Sequence, residues 1–157
     1  MKKENPKIFL LVGVPLSGKT TWIKKNYPGI KVISRDEIVM KLAGTKDYNL
    51  AFDFVDQKEV DRFLMNELEL ASKSNFSVIV DMTNLNKKRR AKNLRNFINF
   101  KKIAIVFPFL TDDEYQLRNK KRNEEENKYI PLGVIKNMIT TYQEPSKEEG
   151  FDEIIFL

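Results

Sequence analysis

The sequence predicts an α/β fold, a five-stranded parallel sheet flanked by helices, formed as one domain over residues 1–157. Three observations predict it. Apolar, β-rich runs alternate with helical ones along the chain. Two of those runs, Ile8–Val12 and Ile103–Phe107, are apolar throughout, as parallel strands covered on both faces are. A glycine-framed turn joins the first strand to the first helix. A length of 157 residues suits a single compact core.

In chain order, strands are expected at Lys7–Val12, Ile30–Ser34, Phe76–Asp81, Ile103–Phe107 and Ile154–Leu157. Helices are expected at Lys19–Asn26, Asp36–Ala43, Asp53–Ser74, Lys87–Asn99, Asp112–Glu125 and Pro131–Gln143. Two helix starts have a local reason. Thr111 and Glu114 have capping-box spacing. Pro131 suits a first turn, where its missing N–H costs nothing. The polar, charged segment Asn123–Tyr129 reads as a mobile loop. No repeat, low-complexity tract or interdomain linker is evident.

Composition excludes whole chemistries. The chain has 28 Lys and Arg against 22 Asp and Glu, a net charge of +6, with no histidine and no cysteine. There is then no disulfide, thiol nucleophile, imidazole base or HExxH metal site. Catalysis must use carboxylates, Lys, Arg, hydroxyls, backbone dipoles or a bound ion, a set that suits phosphoryl transfer. Nothing in the sequence is long enough to span a membrane. The early apolar run Ile8–Val12 is shorter than the ~7–15 residues of a signal core and lacks a cleavage site. A cytoplasmic protein with no membrane partner is expected.

Residues 13–20, GVPLSGKT, match GxxxxGK[ST], with a strand before and a helix after. Glycines let the backbone turn its N–H groups toward phosphate oxygens at a helix N-terminus. Gly13, Pro15, Ser17, Gly18, Lys19, Thr20 and Thr21 form the expected donor site for ATP, or another nucleoside triphosphate, with Mg²⁺. Lys19 reaches the β- and γ-phosphates and the Thr20 hydroxyl binds Mg²⁺. The motif does not separate a kinase from an ATPase or GTPase. The missing NKxD motif and the short chain favour a small kinase.

The second strand ends in Ser34-Arg35-Asp36. Ligands of open parallel sheets sit outside the carboxyl ends of strands. Asp36 is therefore a candidate base for an attacking hydroxyl, the competing reading being a helix cap. The third strand ends in Asp81, which has the form of a Mg²⁺-holding carboxylate or, alternatively, of a turn residue. Arg118 and Arg122 are four apart and share a helix face, which is either catalytic or simply solvated. Residues 87–102 carry eight Lys and Arg and no acid, leaving the rest of the chain at −2. That run is either a solvated face or a phosphate-backbone track.

Taken together these pieces resemble the P-loop 5′-polynucleotide kinase family, both the phage end-healing kinase and the kinase domain of polynucleotide kinase-phosphatase. The shared pieces are Gly13–Thr20, Arg35-Asp36, the D-x-T-N run Asp81–Asn84, the segment Arg118–Arg122, Ile130-Pro131, and the tail Glu144–Ile154. The resemblance implies a kinase-type P-loop NTPase with a helical lid. It implies transfer of the ATP γ-phosphate to a 5′-hydroxyl of a DNA or RNA end. Lys19, Asp36, Asp81 and Arg122 would be catalytic. Arg118 and Arg122 would contact the donor from the lid, and Thr20 and Asp81 would hold Mg²⁺. Arg35, Asp36, Thr83, Asn84, Lys88 and Arg89 would hold the acceptor. Val39 stands where phage-type relatives carry an acceptor-contacting arginine. No DxDGT-like phosphatase segment or KxDG ligase motif is present, so a homo-oligomer or a separate phosphatase or ligase is the expected partner. The alternatives are a small-molecule or nucleotide kinase, and a non-catalytic ATP-binding module.

Overall fold

The computed structural model describes residues 3–157. Five strands, β1 (Lys7–Val12), β2 (Lys31–Ser34), β3 (Val78–Asp81), β4 (Lys101–Val106) and β5 (Glu153–Phe156), form one sheet in the order β2-β3-β1-β4-β5. Every pairing is parallel. Seven helices connect and cover them: α1 (Lys19–Asn26), α2 (Arg35–Ala43), α3 (Tyr48–Phe54), α4 (Gln57–Ser72), α5 (Lys87–Leu94), α6 (Asp112–Glu126) and α7 (Leu132–Thr140). Among the described residues no helix is long and apolar enough to cross a membrane.

The two-residue period of a strand sorts the core into layers. Ile8 and Leu10 of β1, with Val78 and Val80 of β3, pack against Val39 of α2 and Val60, Leu64 and Leu68 of α4. Phe9, Leu11 and Ile79 point the other way, against Trp22 and Tyr27. A third cluster, Val14, Leu16, Leu85, Tyr115 and Ile135, joins the turn after β1 to α6 and α7.

Four expectations change. The helix expected over Asp53–Ser74 starts instead at Gln57, and a separate, unexpected helix precedes it, because two aspartates cap. Asp47 Oδ1 accepts from the Leu50 N–H at 3.2 Å and starts α3. Val55 is extended, and Asp56 Oδ1 accepts from the Lys58 N–H at 3.0 Å and starts α4. The basic helix ends at Leu94 rather than Asn99, where Phe97 and Phe100 turn into the core edge-to-face at 4.9 Å. The third strand starts at Val78, since Phe76 is 77% exposed. The segment expected as a mobile loop is helical to Glu126. Left-handed Asn127 closes that helix, and Asn119 then holds both the N–H and the carbonyl of Ile130. The Thr111–Glu114 capping box is present, and Pro131 sits one residue earlier than expected, as the cap of α7.

The basic run does not behave as one surface. Arg90, Asn93 and Leu94 form the inward face of α5. Arg90 is fully buried and forks onto Glu149, with Nε to Oε1 at 2.8 Å and Nη2 to Oε2 at 3.2 Å. Its Nη1 also donates to the Asn84 carbonyl at 2.9 Å. This pair fastens the tail before β5 to the segment after β3. Burial pushes the Glu149 carboxyl up, but bonds from Arg90 and the Ser146 N–H, with the Arg90 charge, bring it net below 4.5.

Removing one member of a buried pair leaves the other uncompensated. Arg90→Ala is expected to lower unfolding stability by about 3–5 kcal/mol, read as a shifted urea midpoint. Lys88→Ala, on the solvent side of the same helix, is expected to change it by under about 0.5 kcal/mol. A depressed carboxyl stabilises the fold above its unfolded pKa and loses that contribution as pH falls. The gap between wild type and Arg90→Ala should therefore narrow below about pH 4.5.

Candidate active site

The turn after β1 is built for close backbone approach. A Cβ on Gly13 would sit 2.8 Å from Ser17 Oγ and 3.0 Å from Phe107 Cβ, so only glycine fits. Gly18 has φ +100°, and Leu16 takes φ 69°, a conformation costly for a leucine. Leu16 is held there by burial in the third cluster and by Arg118 Nη1, which donates to its carbonyl at 2.9 Å. The Gly13 N–H donates to the Thr83 carbonyl at 3.0 Å, tying the loop to the end of β3. No side chain caps the start of α1, so its first N–H groups are free for an anion. Ser17 Oγ is buried with no protein partner, as expected of a group that a ligand completes.

Lys19 Nζ donates to the Gly13 carbonyl at 2.7 Å and the Val14 carbonyl at 3.3 Å. Burial lowers its pKa to about 8, Asp81 and Asp36 push back upward, and Lys128 and Arg122 lower it further. One ammonium thus senses both carboxylates and both lid cations. The Asp81 carboxyl is raised, by burial first, while Lys19 opposes the shift.

The register pairs Ser34 with Asp81 across β2 and β3, so Asp36 and Asp81 leave neighbouring strand ends. The helix-cap role belongs to Ser34, whose hydroxyl accepts from the Glu37 N–H at 3.4 Å. That frees the Asp36 side chain for the cleft. Asp36 Oδ2 accepts from Lys128 Nζ at 2.6 Å, and Lys128 lies over the Tyr48 ring, 4.1 Å from its centroid. Burial, then the Asp36 charge and a hydrogen bond to Asp36, push the Tyr48 phenol up, so it stays protonated.

These groups share a cleft of about 1270 Å³. Its lining includes Pro15, Ser17, Gly18, Lys19, Thr20, Thr21, Arg35, Asp36, Asp81, Thr83, Arg118 and Arg122. Three proposed acceptor residues lie elsewhere. Asn84 is fully buried beneath the site, its Nδ2 donating to the Leu11 carbonyl at 2.8 Å and its Oδ1 accepting from Asn93 Nδ2 at 2.8 Å. It braces strand ends and does not face an acceptor. Lys88 and Arg89 lie on α5, outside the cleft lining. Arg35 lines the cleft, but its guanidinium is drawn to Gln57 at 2.7 Å and Asp61 at 3.4 Å on α4. Arg118 clamps the loop through Leu16, whereas Arg122 faces the cleft with a weak Glu126 contact at 3.3 Å.

Sequence reasoning missed Lys128, Tyr48 and Phe52. Lys128 fell in the segment read as mobile loop, and the two aromatics belong to the unrecognised α3. Tyr48 and Phe52, four apart just after Asp47, were the available signal.

Mg²⁺ takes few protein ligands and completes its shell with phosphate oxygens and water. Thr20 and Asp81 are a donor set of that kind. Among the described residues, no group of three or more His, Cys, Asp or Glu could cage a metal without phosphates.

A family model described as AAA domain matches residues 8–145. Heterogeneous nuclear ribonucleoprotein U-like protein 2 of Mus musculus is 24% identical over 164 residues, 98% of this chain and 22% of that protein. A chain of the Pnkp1/Rnl/Hen1 RNA repair complex superposes with TM-score 0.72 at 23% identity, over 96% of this chain and 48% of that one. Kti12 of Chaetomium thermophilum, solved with ADP-AlF3, superposes with TM-score 0.61 at 15% identity, over 96% of this chain and 88% of that one. This chain thus spans under a quarter of the curated relative and about half of the RNA-repair chain. At these identities the likeness to solved structures establishes the fold alone, a five-stranded parallel sheet flanked by helices.

A polyphosphate placed against Lys19 favours its charged form. Binding should therefore take up protons near and above the free pKa of about 8, and affinity should fall as pH rises through that value. Calorimetry of ADP binding at pH 8.5, in buffers of different ionisation heat, reads the uptake directly. A buffer-independent enthalpy would contradict the assignment of Lys19 to the phosphates.

Proposed function

The chain belongs to the AAA-domain family matched over residues 8–145, and from that premise we propose that it is an ATP-dependent kinase. In this reading it transfers the γ-phosphoryl group to the 5′-hydroxyl of a DNA or RNA end. One observation carries the reading: Lys19, Asp36, Asp81, Arg122 and Lys128 line one cleft. Donor loop, two carboxylates and lid cations therefore serve one volume. The names of the relatives support a nucleic-acid acceptor, since one is a ribonucleoprotein and one belongs to an RNA repair complex.

The 5′-oxygen attacks the γ-phosphorus in line. The bond to the bridging oxygen breaks, ADP leaves with the electron pair, and the hydroxyl proton passes to the Asp36 carboxylate. Lys128 orients that carboxylate through Oδ2. Lys19 and the N–H groups at the start of α1 receive the donor phosphates, and Arg122 faces the charge that spreads over the transferring group. Thr20 and Asp81 would hold Mg²⁺, which supplies charge neutralisation of the phosphates when bound. A separate phosphatase or ligase would complete end healing.

The test incubates the protein with Mg²⁺, γ-labelled ATP and 5′-hydroxyl DNA and RNA oligonucleotides, beside a panel of small alcohols and nucleosides. Transfer to an oligonucleotide is expected, and transfer to the small molecules alone would replace this reading with the metabolite-kinase alternative. Asp36→Asn is expected to cut turnover by ~10²–10⁴-fold while ATP affinity holds. Arg122→Ala is expected to cost ~10³–10⁵-fold. Near-normal turnover in Asp36→Asn would remove Asp36 as the base.

A further inference from the structure

Asp36 is the fixed point from which an acceptor must extend, and its surroundings say what the acceptor meets there. On α3 the cleft is lined by Tyr48, Asn49, Phe52 and Asp53, with no cation among them. Val39 is fully buried in the core and outside the cleft lining, so it offers an acceptor no charge. Arg35 is held by Gln57 and Asp61, and Lys128 is spent on Asp36 and Tyr48. Lys88 and Arg89 lie outside the cleft. Beside Asn49 and Asp53, α3 supplies aromatic surface. Lys128 joins Asp36 to the face of Tyr48, and one turn further along α3 the Phe52 ring lies 6.1 Å from the Tyr48 ring, tilted by 41°. Both rings line the cleft. Phe52 is 45% exposed, so part of its ring is open to the cleft.

We propose that Phe52, with Tyr48 at its inner edge, is the stacking platform for the terminal nucleobase of a single-stranded acceptor. The proposal rests on the kinase reading above. A nucleoside whose 5′-oxygen is at Asp36 carries its base one sugar away. Every base has a π-face, so such a platform tolerates any sequence and needs no hydrogen-bond readout. The 5′-terminal nucleotide is then gripped through its base more than through its phosphate, and discrimination falls on the presence of a base, not on its identity.

The experiment compares wild type with Phe52→Ala and Phe52→Trp on two single-stranded 5′-hydroxyl oligonucleotides, one ordinary and one abasic at its first nucleotide. Wild type should show a KM for the ordinary acceptor roughly five- to a hundred-fold below that for the abasic one. Phe52→Ala should raise the ordinary KM toward the abasic value, leaving the abasic KM and the KM for ATP unchanged. Phe52→Trp should restore the preference, and this separates a stacking role from a fold defect. If wild type does not distinguish the two acceptors, or if Phe52→Ala raises both KM values alike, the platform is overturned and the kinase reading stands. If wild type phosphorylates neither, both fall together.

Discussion

The parallel register of β1, β2 and β3 is the constraint on which the rest depends. Parallel strands bring all their carboxyl ends to one edge, and the turn after each end must leave there. Because Ser34 pairs with Asp81, and the Gly13 N–H meets the Thr83 carbonyl, three turns are held side by side. A shift of one residue in β2 would turn Ile33 away from the core and carry Asp36 off the cleft edge. The site is therefore a consequence of sheet pairing, and side-chain chemistry is added on top.

Buried polar contacts then keep that edge rigid. Asn84 ties β1 to the segment after β3, and Arg90 reaches from beneath it to Glu149. Arg118 holds the strained Leu16, and Lys128 brings the end of α6 onto Asp36. Each contact crosses between elements that hydrophobic packing alone would leave free to slide. Unpaired, each buried group would cost more than the bond returns, so these contacts fix one arrangement among several that the apolar core would allow. The segment after α6 is thereby coupled to the start of α2 through one ammonium–carboxylate contact.

Much of this was legible in the sequence. Strands buried on both faces announce themselves as unbroken apolar runs, and the phosphate loop is defined by spacing that backbone geometry demands. Asp36 and Asp81 were readable because parallel strand ends have a fixed destination. What escaped detection depends on burial, which letters do not carry. Asn84 and Thr83 are adjacent polar residues, yet one is wholly enclosed and the other lines the cleft. Arg90 looks like its basic neighbours until the face of α5 is known. Lys128, alone in a polar stretch, meets Asp36 from 92 positions away. The α3 start was hidden because Asp47, Asp53 and Asp56 all have cap chemistry, and tertiary packing chose the outer two.

In the proposed function this edge passes a phosphoryl group to a 5′-oxygen and does not merely hydrolyse or hold a nucleotide. The most direct measurement is the stoichiometry and position of product when ATP and a 5′-hydroxyl oligonucleotide are combined with the protein and Mg²⁺. One ADP is expected for each oligonucleotide that gains a phosphoryl group, with the group at the 5′ terminus, where a 5′-phosphate-dependent exonuclease recognises it. ADP released without a matching gain in oligonucleotide mass, or a phosphoryl group found elsewhere on the chain, would contradict it.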